Sequence, residues 1–176
     1  MTRLDSINHL DQGIRSEIFE AGDKYGLNSP ERQELFSKMI KQDSSNLIEI
    51  EQIIDQFGWP GTDMVGKKGN KTVWLVIQHA DVETQLKYLP LFKQSVKEGK
   101  TAAVYLALTI DRIAMQQGKK QVYGSQYVRG NGDQKYSLYP IKDEIHVNER
   151  RKAVGLGPIE EEAKARGIDY KPPVGK

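Results

Sequence analysis

Few side chains in this sequence have both the type and the setting to do chemistry. His79 lies in VWLVIQHADVETQ, which starts at Val73, and Asp111 lies in TAAVYLALTIDRIAMQQ, which starts at Thr101. Both runs read as apolar helix. A carboxylate set among aliphatic side chains must be paired or protonated, and a histidine there needs partners for its ring nitrogens. Helical spacing places Asp111 on one face with Val104, Ala107, Leu108 and Met115. It also places His79 on a stripe with Leu75, Val82 and Leu86, and sets Trp74, Gln78, Asp81 and Gln85 on the neighbouring stripe if the helix continues through Asp81.

The partners open to Asp111 are Arg150, Arg151, His79 and the amides or hydroxyls of Gln121, Tyr123 and Gln126; Arg112 is too close in sequence to face the same way. Pairing with one of the arginines or with His79 is expected. Joined to His79, Asp111 would orient a general base, although a purely structural ion pair uses the same residue types. His79 and Asp111 are therefore the catalytic candidates. The substrate-binding candidates are Gln78, Asp81, Gln85, Arg112, Gln121, Tyr123 and Gln126. The bland alternatives are a satisfied core histidine at 79 and a helix N-cap at Asp81. Ser125 is not expected to be a nucleophile on motif grounds, because Gly-x-Ser-x-Gly is absent.

Composition narrows the classes. The chain has 176 residues, is 28% charged and carries 26 Lys and Arg against 24 Asp and Glu. That balance, without a dense basic block, gives no reason to expect a nucleic-acid partner. With no cysteine, and three histidines outside any His-Glu-x-x-His arrangement, neither a metal nor a cofactor is expected. The longest apolar run, Val73 to Ile77, is far too short for a membrane span. The chain as written is soluble and cytosolic in type, and a secreted chain that had lost its leader would read the same.

The elements that must position these residues are mostly helices. Leu4, Ile7, Leu10, Ile14 and Ile18 mark a first helix, and Ser29-Pro30-Glu31 starts a second. A cap at Asp43-Ser44-Ser45-Asn46 predicts a third helix that ends near Gly58, with Trp59-Pro60-Gly61 as a rigid turn. The glycine- and lysine-rich stretch from Gly61 to Asn70 reads as a mobile loop. Helices follow from Thr72 to Ala80, from Asp81 to about Gly99 with Pro90 inside and Leu86, Leu89, Leu91 and Phe92 facing the core, and from a Thr101 cap to about Gln117. Residues 121–128 and 134–139 read as two strands joined by Arg129-Gly-Asn-Gly-Asp133, with Gly124 marking a bulge or a close approach. A short helix opens at Glu160. The predicted fold is mainly α: about six helices and a small β-hairpin in one domain, 1–168, with residues 169–176 a frayed tail.

Taken in order, several short motifs resemble a bacterial family known as a domain of unknown function. They are Gly58-Trp59-Pro60, Gln78-His79-Ala80-Asp81 with Gln85, Leu89-Pro90-Leu91, Asp111-Arg112, Gly118-Lys-Lys-Gln121, Tyr123-Gly124-Ser125-Gln126, and Arg150-Arg151 followed by Gly155-Leu156. The resemblance covers roughly residues 43 to 160, and serine at 125 keeps the hydroxyl of the threonine usual in the family pattern. It implies no activity, but it does imply that these polar residues form one recurrent unit. The functional expectation is a metal-independent hydrolase or lyase with a polar pocket centred on histidine and aspartate. The alternatives are a non-catalytic module binding a polar small molecule, peptide or glycan, and a structural or protein-interaction domain.

Overall fold

The computed structural model describes residues 2–129 and 136–173. The chain divides into two compact units, Met1–Thr101 and Ala102–Lys176. Seven helices and one two-stranded hairpin make up the regular structure of the described residues, a mainly α fold. None of these helices is long and apolar enough to cross a membrane.

The first unit is built from α1 (Arg3–Tyr25), α2 (Pro30–Phe57), α3 (Thr62–His79) and α4 (Val82–Lys97). Thr2 and Asp5 close a capping box on α1, Ser29 accepts the Arg32 amide at the start of α2, and Pro30 occupies the first turn. The helix α1 packs on α2 and α3, and α3 packs on α2 and α4. Ile7, Ile18, Ile50, Ile54 and Phe92 are among its buried apolar side chains.

Three expectations fail here for identifiable reasons. The cap at 43–46 is unused and α2 runs on through it: Ser44 donates its hydroxyl back to the Ile40 carbonyl at 2.9 Å, and Asp43 turns to Arg15. The 61–70 stretch is helical from Thr62, broken at Gly66, whose φ of 69° and ψ of 172° put a kink inside α3. Thr101 does not cap. It is buried, and its hydroxyl lies 2.8 Å from both Asn70 Nδ2 and Ser95 Oγ. Asn70 also donates to the Pro60 carbonyl at 2.8 Å, so the Trp59-Pro60 turn is tied from below while Trp59 stacks on Phe92 at 4.1 Å.

In α4 the inward face is Gln85, Tyr88, Phe92 and Ser95, while Leu86 and Leu91 are exposed. Phe92 is buried as expected, but Gln85 and Tyr88 take the inward positions that Leu86 and Leu91 were expected to fill. Ala80 is extended (ψ 173°) and α4 restarts after it, so no helical stripe runs from His79 through Asp81. Pro90 lies inside α4 on its exposed side, where water can serve the Leu86 carbonyl that the ring leaves without a donor.

The second unit contains α5 (Ala103–Gln116), β1 (Tyr127–Arg129), β2 (Tyr136–Leu138), α6 (Val147–Ala153) and α7 (Ile159–Ala165). The strands pair antiparallel, with Val128 opposite Ser137. They are shorter than expected, because residues 121–125 form a loop rather than a strand; the expected Asn-Gly turn lies outside the described residues. Ile141, Val147 and Ile159 form a buried cluster flanked by Leu138 and Tyr170. Tyr170 donates its hydroxyl to Glu144 at 2.8 Å.

Gly124 is the point where this loop meets α7. Its φ is +69°, and a Cβ there would run into the side chain of Ile159. Left-handed strain and overpacking act together on any larger residue. Gly124→Ala is expected to cost about 2–4 kcal/mol, whereas Gly157→Ala, where a Cβ meets open space, should change little. Thermal melts followed by circular dichroism separate the two outcomes.

Candidate functional site

The expected site residues fall into two groups, one in each unit. Gln78, His79, Asp81 and Gln85 belong to the first unit, and Asp111, Arg112, Gln121, Tyr123 and Gln126 to the second.

In the first unit the site begins where α3 stops. His79 is its last residue, Ala80 is extended, and Asp81 starts α4 by accepting the Thr84 amide at 2.8 Å. That contact holds the Asp81 carboxyl below its usual range. Gln85 is fully buried and donates to the carbonyls of Gln78 and Ala80 at 3.2 and 2.8 Å, locking the junction from inside. Gln85 and Asp81 thus position the chain around His79.

The His79 side chain is 20% exposed, and its Nδ1 lies 3.2 Å from Asp11 Oδ1. Asp11, on α1, is 1% exposed. Arg15 reaches the same Asp11 oxygen at 3.1 Å and forks onto both carboxylate oxygens of Asp43, on α2, at 3.0 and 2.9 Å. Gln12 donates to the other Asp11 oxygen at 2.5 Å. Burial pushes the Asp11 carboxyl up, but the hydrogen bond and charge of His79, with Gln12 and Arg15, outweigh it and hold the group below its usual range. An open cleft of about 260 Å³ lies over the dyad, lined by Asp11, Asp43, Ser44, His79 and Asp81 with apolar walls of Ile40, Leu47 and Val76. With Nδ1 committed to Asp11, Nε2 is the ring nitrogen left to exchange a proton with a bound molecule.

Asp11, Arg15 and Asp43 were missed as site residues. The signal was present in the sequence. Ile7, Asp11 and Ile18 share the buried face of α1, so Asp11 is a carboxylate on an apolar stripe, as Asp111 is.

In the second unit the expected arginine partner of Asp111 is replaced by a loop of its own unit. Its carboxylate is fully buried and accepts the backbone N–H groups of Val122 at 2.6 Å, Tyr123 at 3.0 Å and Ser125 at 3.0 Å, together with the Ser125 hydroxyl at 2.9 Å. The expected arginines meet the other side of the same loop. Arg150 Nε donates to the Val122 carbonyl at 2.9 Å and Arg151 donates to the Tyr123 carbonyl at 2.8 Å. Arg151, 1% exposed, also pairs with Glu162 at 2.5 Å.

Gln121 is fully buried and bridges the Gln126 and Tyr139 carbonyls through Nε2, at 3.1 and 2.6 Å, while its Oε1 accepts the Gln126 amide at 2.8 Å. Tyr123 enters this network through its backbone, and Gln126 through its backbone and through a side-chain bond to Ser125 at 3.1 Å. The arrangement anchors a loop. Gln78, buried, and Arg112, half-buried, are both engaged in polar or ring interactions.

No cluster of three or more His, Cys, Asp or Glu side chains is placed to hold a metal ion among the described residues.

The family described as DUF6624, a family of unknown function, has a model that matches residues 2–170. The chain belongs to this family. The match to DUF6624 spans both units, so the Asp11–His79 cleft and the Asp111 loop both lie within the family's own extent. No curated protein and no solved structure matches the chain.

Two outcomes follow from these geometries. Asp111→Asn keeps the side-chain shape but turns one acceptor into an NH₂ group facing amide donors, at an expected cost of about 2–4 kcal/mol. Amide hydrogen exchange at Val122, Tyr123 and Ser125 should quicken in that variant; unchanged protection there would show that the carboxylate does not hold the loop. Asp11 has a depressed folded pKa, so its stabilising contribution is complete above the unfolded value of about 3.9 and disappears as pH falls through the folded value. The stability gap between wild type and Asp11→Asn should therefore shrink as pH falls from about 5 to about 3. Urea titrations across that range measure it, and a gap as wide at pH 3 as at pH 5 contradicts it.

Proposed function

We propose that the protein is a hydrolase or lyase in which His79 acts as general acid and base and Asp11 orients it. The observation that carries this reading is the dyad itself: a buried carboxylate 3.2 Å from Nδ1 of a histidine that is 20% exposed and lines an open cleft. Asp11 fixes the ring orientation and stabilises the imidazolium formed when Nε2 takes a proton. Arg15 and Gln12 keep Asp11 ionised and in place. Asp111 has its carboxylate filled by loop amides and the Ser125 hydroxyl, and takes a structural role.

In a hydrolytic cycle Nε2 accepts a proton from water as the water oxygen bonds to the substrate's electrophilic carbon. The same proton then passes to the leaving group as its bond to that carbon breaks. In an elimination Nε2 takes the proton from a carbon next to the one losing its substituent, the electron pair of that C–H bond becomes the new double bond, and the substituent departs with the electron pair of its own bond and receives the proton from Nε2. Both cycles need only the two nitrogens of one imidazole and a fixed carboxylate behind it.

A panel of chromogenic esters, amides, glycosides and elimination substrates, assayed with wild type, His79→Gln and Asp11→Asn, tests the reading. Activity should fall about 10²–10⁴-fold in His79→Gln, with a smaller fall in Asp11→Asn and melting temperatures of His79→Gln close to wild type. Turnover undiminished in His79→Gln, or a wild type silent across the panel, removes the enzyme reading.

A further inference from the structure

We infer that the cleft over His79 takes a cationic organic group, a protonated amine or guanidinium carried on a short apolar stem. The inference rests on the reading of His79 as the reacting base and names the substrate class that base would serve. The lining supplies three carboxylates, Asp11, Asp43 and Asp81, and no lysine or arginine. Arg15 is the nearest positive charge to this set that the hydrogen bonds reveal, and its guanidinium is already committed to Asp11 and Asp43. Counting Asp11, Asp43 and Asp81 as −3 and Arg15 as +1 leaves a formal −2 with His79 neutral.

Among the described residues the lining offers an anionic ligand no uncommitted counter-charge. The one feature that would attract it, the N-terminus of α4, is filled by the chain's own Asp81, which caps Thr84 and is held ionised by doing so. A metal cation is not the fit either, because these carboxylates form no group placed to hold one among the described residues. A compact organic cation needs only diffuse negative potential and a wall for its carbons. Ile40 and Leu47 supply that wall, and a volume of about 260 Å³ suits a group of that size.

The test uses the full chain at low salt, with n-butylammonium, agmatine, butyrate and butanol as probes. Ring resonances of His79 are followed by NMR and affinities are measured by titration. Butylammonium and agmatine should shift the His79 ring signals and bind at least about tenfold more tightly than butyrate or butanol. Asp81→Asn keeps a good helix cap and should weaken the amines about tenfold while leaving the fold intact. Butyrate or butanol binding as tightly as the amines, affinity for the amines unchanged in Asp81→Asn, or no probe moving His79 overturns the inference. The two proposals fail separately. Butyrate preferred with His79-dependent turnover intact removes only the substrate class, whereas amines seated at His79 with turnover indifferent to His79 leave a binding pocket and remove the enzyme.

Discussion

A fully buried carboxylate has to be satisfied, and in the second unit that requirement organises everything near it. Asp111 stands on α5 with no access to water, and three amides and a hydroxyl of one short loop converge on its two oxygens. The carbonyls of the same loop are taken by Arg150 and Arg151. Peptide groups between 122 and 125 are thus held from both ends, donor side by an acid and acceptor side by bases. A loop without regular secondary structure gains fixed geometry in this way, and α7 can pack against it at Gly124.

The first unit meets the same constraint with different partners, and the difference is chemical. Asp11 is satisfied by side chains, two of which carry or can carry charge, and one of these, His79, faces a cleft. Backbone amides cannot move a proton under ordinary conditions, but an imidazole can. The carboxylate most demanding of explanation in the sequence, Asp111, is the one met by backbone amides and a hydroxyl, whereas Asp11 is the one met by an imidazole.

The helices were legible because their apolar periodicity and caps agree: Ser29, Pro30 and Asp81 act as their types suggest. Where two local signals competed, tertiary contacts decided. A cap-like Asp43-Ser44 in mid-helix is overruled when Asp43 finds Arg15, and a glycine-rich stretch stays helical except at Gly66. His79 stands out in the sequence as a histidine on an apolar stripe, but its partner cannot be read from local spacing. Asp11 is 68 residues away from His79, and nothing in local spacing links them. The loop amides around Asp111 were invisible for another reason: backbone donors carry no residue type.

The side chain of Gln121 has one more consequence. Its amide pairs with the N–H and C=O of Gln126 and the C=O of Tyr139, the groups just beyond the Tyr127–Leu138 rung. The Tyr139 N–H meets the Gln126 carbonyl directly at 3.1 Å, while the reciprocal pair, the Gln126 N–H and the Tyr139 carbonyl, is joined only through the Gln121 amide. A side chain is thus inserted between the two strands where a peptide-to-peptide bond would otherwise close the ladder. Regular pairing ends at that point, and the strands are held together beyond it by a residue that belongs to neither.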